Sequence, residues 1–144
     1  MTMMKIEPNV VDPSGNFAFG DVTVNSINTS SGKAIDGILE KSYTIPGILK
    51  ILTGSVRWWI PTNIKLSSII CSVTTAPTGA NIILTIKKNG VAATTATLAA
   101  GTSTQTTPAT LTLVKGDYIT VDVSQVGTPV SGSDLVLTFL YYRT

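Results

Sequence analysis

Asn81-Ile82-Ile83-Leu84-Thr85-Ile86-Lys87-Lys88-Asn89-Gly90 is the stretch that decides the fold. Ile82, Leu84 and Ile86 alternate with Ile83, Thr85 and Lys87, the two-residue period of a strand with one face in a core. Asn89-Gly90 follows, the dipeptide that best accepts positive φ at both central positions of a tight hairpin turn. Val91–Leu98 is then the returning strand. The same reading extends in both directions. Val56–Ile60 and Leu66–Thr74 precede the hairpin; Gln105–Thr107 with Ala109–Val114, Tyr118–Gln125 and Leu135–Tyr142 follow it. Ile119, Val121 and Val123 repeat the alternation against Thr120, Asp122 and Ser124. Turn signals separate the runs: Ala76-Pro77-Thr78-Gly79, Lys115-Gly116-Asp117 and Pro129–Asp134. Short strands at such spacing predict an all-β antiparallel sandwich of jelly-roll type. Leu135–Tyr142 is apolar on both faces, which calls for a subunit interface over its second face or for a central position covered by an arm formed by the N-terminal residues.

The chain divides near Thr53-Gly54. Before it, Pro8, Pro13, Gly15, Gly20, Gly32, Gly37, Pro46 and Gly47 leave no room for a long helix. Residues 1–54 therefore read as an extended N-terminal arm. It carries one strand over Phe17–Asn25 and a turn or two of helix over Ala34–Lys41. Residues 55–144 read as the sandwich domain.

Composition narrows the function. Only 12% of the 144 residues are charged, against roughly 25% in an average soluble domain. The mean hydropathy is positive, yet no apolar run approaches the ~18 residues that span a bilayer. Burial against partner subunits accounts for the low charge better than a membrane does. There is no signal-peptide pattern at the N-terminus, so the expected site of synthesis is the cytoplasm. A formal net charge of +2 with scattered cations argues against nucleic acid. Lys87-Lys88, the adjacent basic pair, leads into a turn and reads as solvated. Cys71, the single cysteine, reads as a small core residue.

Chemistry is not written into the sequence. Histidine is absent, which removes the commonest general base and metal ligand. One cysteine cannot assemble a thiolate zinc site. The eight carboxylates are spread along the chain, with Asp117 and Asp122 five apart and on opposite faces of their strand. No phosphate-loop or dinucleotide fingerprint occurs. The expectation is a protein that is not an enzyme and has no cofactor or metal. Trp58-Trp59 is the most conspicuous local feature: adjacent strand residues face opposite ways, so one indole enters the core and the other faces out. The outward one is covered by the arm or anchors a partner or a sugar. Candidate interface residues are thus Phe17, Phe19, Arg57, Trp58, Trp59, Tyr141 and Tyr142.

The segment Ser55–Thr144 resembles the jelly-roll modules of virion structural proteins of tailed bacteriophages. The likeness is carried by Arg57-Trp58-Trp59-Ile60-Pro61, by Ala76–Gly90, by Leu98–Gly101, by Lys115–Gly127 and by Gly132-Ser133-Asp134-Leu135 running into the last strand. It implies a virion location, contact with the major capsid protein or other virion proteins, and a homotrimer. Capsid decoration (cement) proteins and tail-fibre or baseplate heads that recognise host glycan both resemble this module. The chain has neither the heptads nor the collagen-like triplets of a fibre shaft, so the decoration reading is preferred, with the receptor-binding head as the alternative.

Overall fold

Alternation of large apolar side chains with Thr, Ser and Lys builds nine strands. The computed structural model describes residues 37–144. The strands are β1 (Leu39–Ile48), β2 (Leu52–Trp59), β3 (Ile64–Ser72), β4 (Ile82–Lys88), β5 (Val91–Leu98), β6 (Thr104–Pro108), β7 (Thr112–Leu113), β8 (Tyr118–Gln125) and β9 (Ser133–Arg143). They form two antiparallel sheets. One runs β1-β9-β3-β6, with the short β7 also on β3; the other runs β2-β8-β4-β5. Apart from β7, the chain alternates between the sheets at every step except the β4–β5 hairpin, which is the jelly-roll wiring expected from the sequence. The sheets pack face to face as a β-sandwich.

The core lies between them. Ile82, Leu84 and Ile86 of β4 and Ile119, Val121 and Val123 of β8 are fully buried, as their alternation predicts. They meet Ile69 and Cys71 of β3 and Leu135, Leu137 and Phe139 of β9 from the opposite sheet. Burial pushes the Cys71 thiol pKa up to about 12, so the thiol stays neutral and behaves as a core residue. The Asn89-Gly90 turn has φ of 51° and 85°, the paired positive values that the dipeptide was read to supply.

The sandwich begins earlier than the division at Thr53-Gly54 suggested. β1 and the start of β2 belong to it. Leu39, Glu40 and Lys41 pair with Tyr141, Leu140 and Phe139, so this part of the expected Ala34–Lys41 helix is strand; residues 34–36 lie outside the described residues. A helix of two turns containing Gly37 cannot offset its own nucleation cost, whereas β9 offers a full ladder of hydrogen bonds. Pro46 and Gly47, read as breakers, sit at a register shift between Ile45 and Ile48 of an edge strand. An edge strand tolerates the missing proline N–H, and Gly47 takes φ of 81° while donating its N–H to Asp134 Oδ1 at 2.8 Å. The expected Phe17–Asn25 strand lies outside the described residues.

β9, apolar on both faces, is a central strand flanked by β1 and β3. Val136, Leu140 and Tyr142 on its outer face are half-buried within this chain. Pro108 divides the run read as one strand with a break: β6 pairs with Ser68–Ser72, and β7 pairs with Ile64 and Lys65.

Candidate functional site

The adjacent tryptophans part as the strand geometry requires. Trp58 is 8% exposed and Trp59 60% exposed. Trp58 packs on Phe139 and Tyr141, with ring centroids 5.8 Å and 5.2 Å apart, and so ties the two sheets together. Trp58 is therefore a core residue, and the partly buried Tyr141 packs against the core. Tyr142 stands on the outer face of the five-stranded sheet, opposite Lys65 in register. Phe17 and Phe19 lie outside the described residues. The five described candidates thus do not form one surface.

Arg57 and Trp59 do share a surface, the outer face of the four-stranded sheet, and a residue absent from the candidates joins them. Trp59 is directly opposite Tyr118 and Arg57 opposite Thr120. The Trp59 and Tyr118 rings lie 5.1 Å apart at 51°, and the Arg57 guanidinium lies 5.2 Å from the Tyr118 ring centroid, within cation–π range. Tyr118 thus touches both an indole and a cation. Nothing in the sequence near Tyr118 marks it; only the β2–β8 register brings it to Trp59.

The neighbouring cations are committed elsewhere. Lys87 pairs with Asp122, and Lys88 pairs with Asp117 at 2.9 Å. The two lysines read as solvated are thus ion-paired, because antiparallel pairing of β4 with β8 sets them beside carboxylates distant in sequence. Asp117 also accepts from the Val114 N–H at 2.8 Å and from Asn89 Nδ2 at 2.7 Å. These bonds join the β4–β5 hairpin to the turn before β8. Asp122 accepts from the Gly54 N–H at 2.8 Å, fixing the irregular start of β2. Both carboxylates serve the fold.

The Val114 N–H, then Asn89, then Lys88 hold the Asp117 pKa down at about 2; Lys87 and then Gly54 lower that of Asp122. A carboxylate depressed in the folded state stabilises the fold above its unfolded pKa and loses that contribution as pH falls through the folded value. The urea midpoint is accordingly expected to fall as pH drops from the ordinary value of 3.8 toward about 2. Asp117→Asn should have a lower midpoint at neutral pH and a shallower acid limb, checked by circular dichroism in urea at a series of pH values.

No protein-family model matches the chain, and no curated protein does.

A second surface lies at the end of the sandwich where β1 turns into β2. Ile48 is 75% and Ile51 70% exposed, with Leu52 and Val130 also exposed. Ile48 and Val130 border a shallow hollow of about 330 Å³, completed by Thr75, Pro129, Ser131, Gly132 and Ser133. Sequence reasoning missed this surface, since Ile45–Leu52 reads equally well as a buried run.

Proposed function

We propose that this chain is a structural subunit of a bacteriophage particle, a trimeric decoration protein that binds and stabilises the major capsid lattice without catalysis. The observation that carries the reading is the exposure of Ile48, Ile51, Leu52 and Val130 at one end of a jelly-roll sandwich. Four large apolar side chains left in water at one end of a small domain mark a surface that another protein covers. Supporting it are the low charge of the sequence and the likeness of Ser55–Thr144 to phage jelly-roll modules. The Ser/Thr-rich strands and paired carboxylates belong to a scaffold, and the scaffold's role is to present its ends.

The test is gold-labelled antibody against this protein on intact particles, viewed by electron microscopy. Gold spread over the head is the expected result. Gold confined to the tail tip would replace the decoration role with an adhesion role, and particles without gold would overturn the virion reading.

A further inference from the structure

We infer that the Trp59–Tyr118–Arg57 platform binds an acidic saccharide, with a pyranose ring stacked on the exposed indole and its carboxylate paired to Arg57. Three observations lead there. First, Trp59 is 60% exposed yet oriented, its ring 5.1 Å from that of Tyr118. A preset aromatic surface binds at low ordering cost, and the C–H face of a pyranose is complementary to an indole. Second, Arg57 finds no carboxylate partner among the described residues, whereas Lys87 and Lys88 are each neutralised by an aspartate. Among the described residues, the cation left without a carboxylate beside the rings is therefore the Arg57 guanidinium, suited to one carboxylate through paired N–H donors.

Third, the surroundings exclude larger occupants. Strand register places Trp59 alone, among the exposed large apolar side chains of the described residues, on this outer face. The rest of the face is mostly polar, with Thr120, Asp122 paired to Lys87, and Thr85 hydrogen-bonded to Ser124 at 2.5 Å, beside the half-buried Ile83 and the small Ala92. A stable protein partner needs roughly 800 Å² per side with an apolar centre, which one exposed indole does not supply. Single-stranded nucleic acid stacks on aromatics too, but it needs a basic groove along its backbone, and here both neighbouring lysines are paired. A ring-sized ligand with one negative charge fits what remains.

The inference does not rest on a virion location, because it is measured on the isolated chain. The probe is an array of immobilised uronic- and sialic-acid glycans alongside neutral glycans of matching length, with an oligothymidylate spot. The expected result is binding to acidic glycans above neutral ones. Trp59→Ala should weaken that binding by about tenfold or more with an unchanged melting temperature, and Trp59→Phe should restore part of it. Arg57→Gln should abolish the preference for acidic over neutral glycans. Absence of acidic-glycan binding, undiminished binding by folded Trp59→Ala, or equal binding of neutral glycans by the wild type would each overturn the proposal. Preferential binding to oligothymidylate would overturn it in favour of nucleic acid.

Discussion

Phe139→Ala is expected to lower the stability of the fold by about 3–5 kcal/mol, the range for emptying a well-packed aromatic site. Phe139 is fully buried on the central strand of the five-stranded sheet, between Lys41 of β1 and Ile69 of β3 in register. Its ring meets Trp58 from the opposite sheet at 5.8 Å and Tyr43 from its own sheet at 6.4 Å, nearly edge-on. Truncation would strip both aromatic contacts at once and leave a cavity that two hydrogen-bonded sheets cannot close by local collapse. A domain of this size has about 5–15 kcal/mol to lose, so the variant would be marginal at physiological temperature. Urea unfolding followed by circular dichroism checks the magnitude, and a loss under about 1 kcal/mol would mean that the sheets repack around the gap. Trp59→Ala is the comparison: its outward indole contributes within about 0.5 kcal/mol, although it neighbours Trp58 in sequence.

That contrast shows what sequence could and could not supply. Strand periodicity separates Trp58 from Trp59 because adjacent strand residues face opposite ways whatever the rest of the chain does. The same local rule places Ile82, Leu84 and Ile86 in the core and makes a hairpin of Asn89-Gly90. Tyr118 is different. Its role depends on which residue of β2 lies opposite it, and that pairing is set by the whole sandwich. Lys87 and Lys88 fail for the same reason, since their partners Asp122 and Asp117 are distant in sequence and become neighbours through β4–β8 pairing. β1 was hidden by punctuation: proline and glycine break a helix or a central strand, but an edge strand absorbs both at a bulge.

The arrangement also separates two tasks. The aromatic platform lies on a sheet face near the end of β2 and the start of β8, whereas the exposed isoleucines lie where β1 hands over to β2. A β-sandwich can hold both because each sheet satisfies its own backbone, leaving outer faces and end loops free to vary. Low overall charge follows naturally if the loop end is covered in an assembly while the sheet face stays open to small ligands.

Gly79→Ala is expected to destabilise by about 3 kcal/mol, although it adds a single methyl at the surface. Gly79 holds φ of +69°, a conformation costing an L-residue roughly 1–2 kcal/mol. An added Cβ would also overlap the carbonyl oxygen of Thr128 across the gap between the β3–β4 and β8–β9 loops. Those loops are fastened there: the Thr78 N–H donates to Val130 O at 3.0 Å and the Thr128 N–H donates to Thr78 O at 2.8 Å. Moving Thr128 aside sacrifices one or both bonds, each contributing about 1 kcal/mol. Gly127 closes the same joint from the other side, where a Cβ would overlap Val130 O and crowd Pro77. Gly127→Ala should therefore have a similar cost, and the double variant should lose less than the sum, because the joint can be opened only once. Thermal unfolding of the three variants measures this directly. Additive losses would show two independent loops instead of one fastened corner. The outcome matters for assembly, because Pro129, Val130 and Ser131 border the hollow beside Ile48. A loop displaced by Gly79→Ala would reshape the surface proposed to meet the capsid, weakening decoration even where the sandwich still folds.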